Sequence, residues 1–120
     1  MKNITLIFAT IILLITTSCV QKTYKKTVTF NLNVSGVKNV YKVGIRGENK
    51  PLDWNYETEM KAIKKDSLYQ ITMVFETGYK FVEAKFTVND EFELKEKDSR
   101  RIYFDNGDKT VYNAVFDVNK

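Results

Sequence analysis

The sequence predicts an all-β domain built as a sandwich of two sheets. Three observations carry that prediction. Apolar and polar residues alternate with period two in most segments after residue 26, the pattern of strands with one buried and one wet face. Turn-forming residues (Ser35-Gly36, Gly78, Asn89-Asp90, Asn106-Gly107) interrupt the alternation, giving strands spaced by roughly 10 residues. No segment after residue 26 repeats its apolar residues at the intervals of three and four that a helix face needs.

Residues 1–18 read as an export signal ahead of this domain. Met1-Lys2-Asn3 carries a positive charge, Ile4 to Ile15 is apolar apart from Thr5 and Thr10, and Thr16-Thr17-Ser18 is small and polar. The apolar run of about 12 residues is shorter than the roughly 20 that span a bilayer. Cys19 follows at once, and Ile15-Thr16-Thr17-Ser18-Cys19 resembles the lipobox of bacterial lipoproteins, with Thr16 where Leu is usual. That resemblance implies acylation of Cys19 and a lipid anchor to a membrane of the bacterial cell envelope. Acylation also explains a lone thiol in an exported protein; the other reading is an ordinary secretory signal with an incidental Cys. Residues 19–26 form a short basic tether with Lys22, Lys25 and Lys26. They lack the acidic residues common behind the Cys of surface-exported lipoproteins, so the periplasmic face is at least as much expected as the cell surface.

The domain itself spans residues 27–118. Thr27 to Val34 places Val28, Phe30, Leu32 and Val34 on one face. Val40 to Arg46 repeats the pattern with Tyr41, Val43 and Ile45, and Gly47 to Asn55 is a loop holding Pro51 and Trp54. Met60 to Ile63 is a short strand; Leu68 to Phe75 turns Tyr69, Ile71, Met73 and Phe75 one way. In Phe81 to Val88 the row Val82, Ala84, Phe86, Val88 faces inward, against Phe81, Glu83, Lys85 and Thr87. A tight turn at Asn89-Asp90 leads into Glu91 to Lys95, with Phe92 and Leu94 on one face. Arg101 to Phe104, a hairpin-type turn at Asp105 to Asp108, and Thr110 to Val118 complete seven or eight strands. An eight-strand barrel would give a similar string.

Composition excludes several chemistries. The 120 residues contain no His and one Cys, so there is no His-activated nucleophile, no imidazole zinc site, no disulfide within the chain and no Cys cluster. Lys and Arg, 19 in all, are scattered among 15 Asp and Glu, and no basic stripe marks nucleic-acid binding. Asp105-Asn106-Gly107-Asp108 lacks the frame and closing Glu of a calcium loop, and Glu91 and Glu93 read as surface charge. No catalytic residue, metal or cofactor is expected. Trp54, between Asp53 and Asn55, is a loop indole: it either stacks on the apolar face of a sugar or folds back to cap the sandwich. Lys85, on the polar side of its strand, is either a solvated lysine or, if Trp54 lies close, a ligand group.

The series Val28-Thr29-Phe30, Val40-Tyr41-Lys42-Val43-Gly44, a loop ending in Trp54, Tyr69-Gln70-Ile71, Gly78, Val82-Glu83-Ala84-Lys85-Phe86 and Ser99-Arg100-Arg101 resembles the starch-binding carbohydrate-binding modules. These are similar to the glycogen-binding domains of kinase regulatory subunits. The resemblance covers residues 27–118. It implies an immunoglobulin-like antiparallel β-sandwich that binds an α-glucan without catalysis. By that resemblance Trp54 matches the first sugar-stacking Trp and Lys85 the Lys that bonds sugar hydroxyls. The second stacking Trp falls at Phe92 or Leu94, the Asn that follows is replaced by Ser99, and Arg100 is retained. The alternative expectation is a structural lipoprotein with this fold and no sugar site, paired with another envelope protein.

Overall fold

The computed structural model describes residues 22–119. The segment read as an export signal, Cys19 and the start of the segment read as a tether lie outside the described residues. Nine strands follow: β1 (Tyr24–Asn33), β2 (Val43–Gly47), β3 (Thr58–Glu59), β4 (Lys61–Lys64), β5 (Leu68–Thr77), β6 (Phe81–Val88), β7 (Glu91–Phe92), β8 (Arg100–Tyr103) and β9 (Lys109–Val115). The alternation does what it predicts. On β1, Val28, Phe30 and Leu32 are sealed from solvent; on β6, Val82, Ala84, Phe86 and Val88 are buried. One sheet has the order β4-β5-β1-β9 and the other β3-β2-β6-β7, with β8 also paired to β6. The sheets pack face to face as a sandwich around one core. Phe30 sits at its centre, edge-on to Phe75 at 6.2 Å, Phe86 at 6.3 Å and Tyr112 at 6.5 Å.

Several details depart from the sequence expectation. β1 begins at Tyr24, three residues inside the segment read as tether. Tyr41 precedes β2 and is 76% exposed, because the chain reaches the sheet only at Val43. The return strand after Asn89-Asp90 keeps ladder pairing only for Glu91 and Phe92. The sandwich is not wholly antiparallel: β1 runs antiparallel to β5 but parallel to β9. Residues 105–108 do not close a hairpin either. β8 belongs to the β6 sheet and β9 to the β1 sheet, so this turn carries the chain from one sheet to the other. Consecutive strands do pair as hairpins at β4–β5 and at β6–β7, and in the latter Asn89 (φ 54) and Asp90 (φ 66) both take the left-handed conformation of a two-residue type I′ turn.

Candidate binding site on the outer face of the β6 sheet

Strand parity builds the site. Phe81, Glu83, Lys85 and Thr87 point out from β6 because their neighbours fill the core. Pairing then sets partners beside them: Arg46 of β2 opposite Lys85, Phe92 of β7 opposite Thr87, Arg101 of β8 opposite Glu83 and Tyr103 opposite Phe81. The loop after β2 supplies the indole. Gly47 has no room for a side chain, since a Cβ there would lie 2.4 Å from the Glu83 carbonyl oxygen and 2.6 Å from Leu52. Leu52 can therefore plug into the core, 3% exposed, and the residues after it return across the outer face.

Trp54 is half-buried and held at both ends. Its Nε1–H donates to Glu48 Oε2 at 2.6 Å, and its carbonyl accepts from Arg46 Nη1 at 3.1 Å. The Arg46 guanidinium lies 5.2 Å from the centre of the Phe92 ring, a cation–π contact. Phe92 in turn faces Trp54, with ring centres 6.4 Å apart and planes tilted by 55°. Lys85 Nζ donates to the carbonyls of Leu94 (3.1 Å) and Lys97 (2.7 Å). It thereby fixes a loop in which Leu94 (φ 49) and Glu96 (φ 66) are left-handed. One ammonium proton is left over for a ligand.

These groups share one open, shallow depression of about 540 Å³, lined by Trp54, Lys85, Phe92, Lys95, Lys97 and Ser99 among others. Four of the five residues singled out from the sequence thus meet in one place. The fifth, Arg100, does not. It opens β8 with inward parity and is buried in a bidentate pair with Glu93, Nε to Oε2 at 2.7 Å and Nη2 to Oε1 at 2.8 Å. Burial alone would lower the Arg100 pKa, but bonds to Glu93 and to Tyr112 outweigh it and hold the guanidinium above its ordinary value. Glu93 likewise departs from its reading as surface charge: it is 0% exposed. Leu94 is buried too, so of the two positions named for a second ring only Phe92 lines the depression.

Sequence reasoning missed Arg46 and Glu48, which orient Trp54. The signal for Arg46 was present, since the alternation that buries Val43 and Ile45 turns it outward; Glu48, in a loop, had none. At the flank, Gly44 leaves space for Glu57, whose Oε2 accepts from Thr87 Oγ1 at 2.7 Å and whose Oε1 lies 2.5 Å from Lys42 Nζ. Hydrogen bonds to Glu57 and Asp90 raise the Lys42 pKa above the usual lysine value. The chain matches no protein-family model and no curated protein.

Proposed function

We propose that the protein is a non-catalytic glycan-binding module for starch- or glycogen-like α-glucans, with the immunoglobulin-like architecture of the starch-binding modules, held to the bacterial envelope by an acylated Cys19. The observation that carries this reading is the tilted Trp54–Phe92 pair, open to solvent in the same depression as Lys85 and Ser99. Two inclined rings offer apolar faces to the C–H faces of successive sugars. Lys85, Ser99 and the loop carbonyls offer hydroxyl partners. A site this shallow leaves little surplus after ordering costs, so affinity is expected in roughly the millimolar to high-micromolar range. The ligand is uncharged, so binding should not weaken with added salt.

Trp54 is the single Trp of the chain, which makes its fluorescence specific to the site. The mature chain with Cys19→Ser, titrated with maltoheptaose, should give a saturable change in that signal. Trp54→Ala should run unretarded through a starch-containing native gel. Retardation equal to wild type would remove Trp54 from the site.

A second reading, a structural lipoprotein that docks an envelope protein, is favoured by one observation. Among the described residues β9 ends its sheet and pairs only with β1, leaving an edge on which another strand could add. A flat maltoheptaose titration, with Trp54 still quenchable by iodide, would favour it.

A further inference from the structure

We propose that the glycan strip continues along β6 past the Trp54 depression to a second aromatic step, formed by Phe81, Tyr103 and Tyr79, so that the site reads a run of several consecutive sugars. The inference rests on the reading of the Trp54 depression as a saccharide site. Phe81 and Tyr103 are directly opposite across β6 and β8, with ring centres 5.3 Å apart, and Tyr79 lies 6.5 Å from Phe81. These rings are not core: Tyr79 is 69% and Tyr103 60% exposed. Arg101 is laid over Phe81, 4.9 Å from its centre, and kept there by Glu83, which accepts from its Nε at 3.0 Å.

The two aromatic steps are joined. Glu48, which accepts from the Trp54 indole N–H, also lines the hollow formed with Asn49, Tyr79, Phe81 and Glu83. Asn49 Oδ1 accepts from the Glu83 backbone N–H at 3.1 Å, so the hollow is stitched to β6 itself. Along the outward row, Phe81 and Thr87 are separated by roughly 20 Å at the usual strand rise. Between them lie Glu83, Lys85, Arg46 and Arg101, all held in ion pairs or hydrogen bonds. Carboxylate acceptors and cationic donors between two aromatic ends match a chain whose every unit has an apolar face and a hydroxyl rim. A protein partner fits this surface poorly, because the middle of a protein interface is depleted in charge, and here the middle is the charged part.

The test uses the mature chain with Cys19→Ser, titrated with maltotriose and with maltoheptaose while Trp54 fluorescence is followed. Maltoheptaose should bind roughly tenfold more tightly, a difference of about 1.4 kcal/mol. Tyr103→Ala, whose ring is exposed and whose loss leaves the core intact, should remove that advantage and leave maltotriose binding unchanged; Phe81→Leu should remove part of it. Equal affinities in the wild type, or an undiminished gain in Tyr103→Ala, would overturn the second step. So would sedimentation in which Tyr103→Ala dissolves a dimer while the length dependence persists, since the rings would then belong to a second copy of the chain. If maltotriose leaves Trp54 unmoved, the reading of the first depression fails, and the extension fails with it.

Discussion

Glu93 concentrates on one carboxylate the joining of the two sheets. Its oxygens accept from Arg100, from the Phe86 backbone N–H at 2.9 Å and from that of Asp117 at 3.2 Å. Arg100 passes the linkage on, donating to Tyr112 Oη and to the carbonyls of Val115 and Val118. Desolvation offsets much of the attraction within such a pair, but removing one partner strands the other charge in the interior. Glu93→Ala should therefore cost about 3–5 kcal/mol, read as a fall in urea midpoint with unchanged m-value. Adding Arg100→Met should recover part of that loss, since the two residues act as a unit. The same geometry sets Arg100 apart from the ligand: Arg100→Lys should lower stability yet leave oligosaccharide affinity unchanged. What the sequence disclosed about the site follows only in part from parity. The alternation of β6 turned Lys85 outward, whereas Trp54, Ser99 and the choice between Phe92 and Leu94 came from the resemblance alone, and burial separates the last two, Leu94 being buried and Phe92 not. The resemblance assigns Arg100 to the site and the pattern starts the strand at Arg101, but β8 starts at Arg100, so its parity turns Arg100 inward and Arg101 outward.

At the scale of elements, the β6–β7 turn shows how a short segment governs a distant one. Asn89 holds a left-handed backbone at little cost, and its side chain accepts from the N–H groups of Tyr41 (2.9 Å) and Lys42 (3.2 Å) while donating to the Asn39 carbonyl (2.8 Å). The turn thus pins the link between β1 and β2 and also sets the direction of Phe92. Asn89→Gly keeps the backbone and loses the side-chain bonds; Asn89→Ala loses both. We expect Asn89→Ala to destabilise by about 2–3 kcal/mol and Asn89→Gly by less, in thermal or urea unfolding. Both variants lose the side-chain bonds, so the reverse order would mean that the left-handed backbone at Asn89 costs alanine nothing. Alternation made β6 legible to the residue and the inward rows of β1 and β5 legible, because those rows pack on the core, although β1 starts three residues earlier and β5 ends two later than the pattern predicts. It failed at β7, where ladder pairing stops after two residues and Glu93 and Leu94 both turn inward. Period two also reports the face a residue occupies, not the neighbouring strand or its direction. The parallel β1–β9 pair and the sheet crossing at 105–108 were therefore out of its reach.

For the whole molecule, the pairing of first strand with last matters most. Thr27 lies against Lys109 and Asn33 against Val115, so the chain enters beside one end of the pair and leaves beside the other. Traction on the two termini must slide β1 lengthwise along β9, straining every hydrogen bond of that ladder at once. Traction applied at Tyr24 and Thr77, which lie side by side at the open end of the antiparallel β1–β5 pair, would instead unzip bonds one after another. Single-molecule force spectroscopy should show a much higher rupture force for end-to-end pulling than for the Tyr24–Thr77 geometry, and equal forces would contradict this pairing. A domain fastened at its leading end and tugged at its trailing end would meet the load in its mechanically strongest direction.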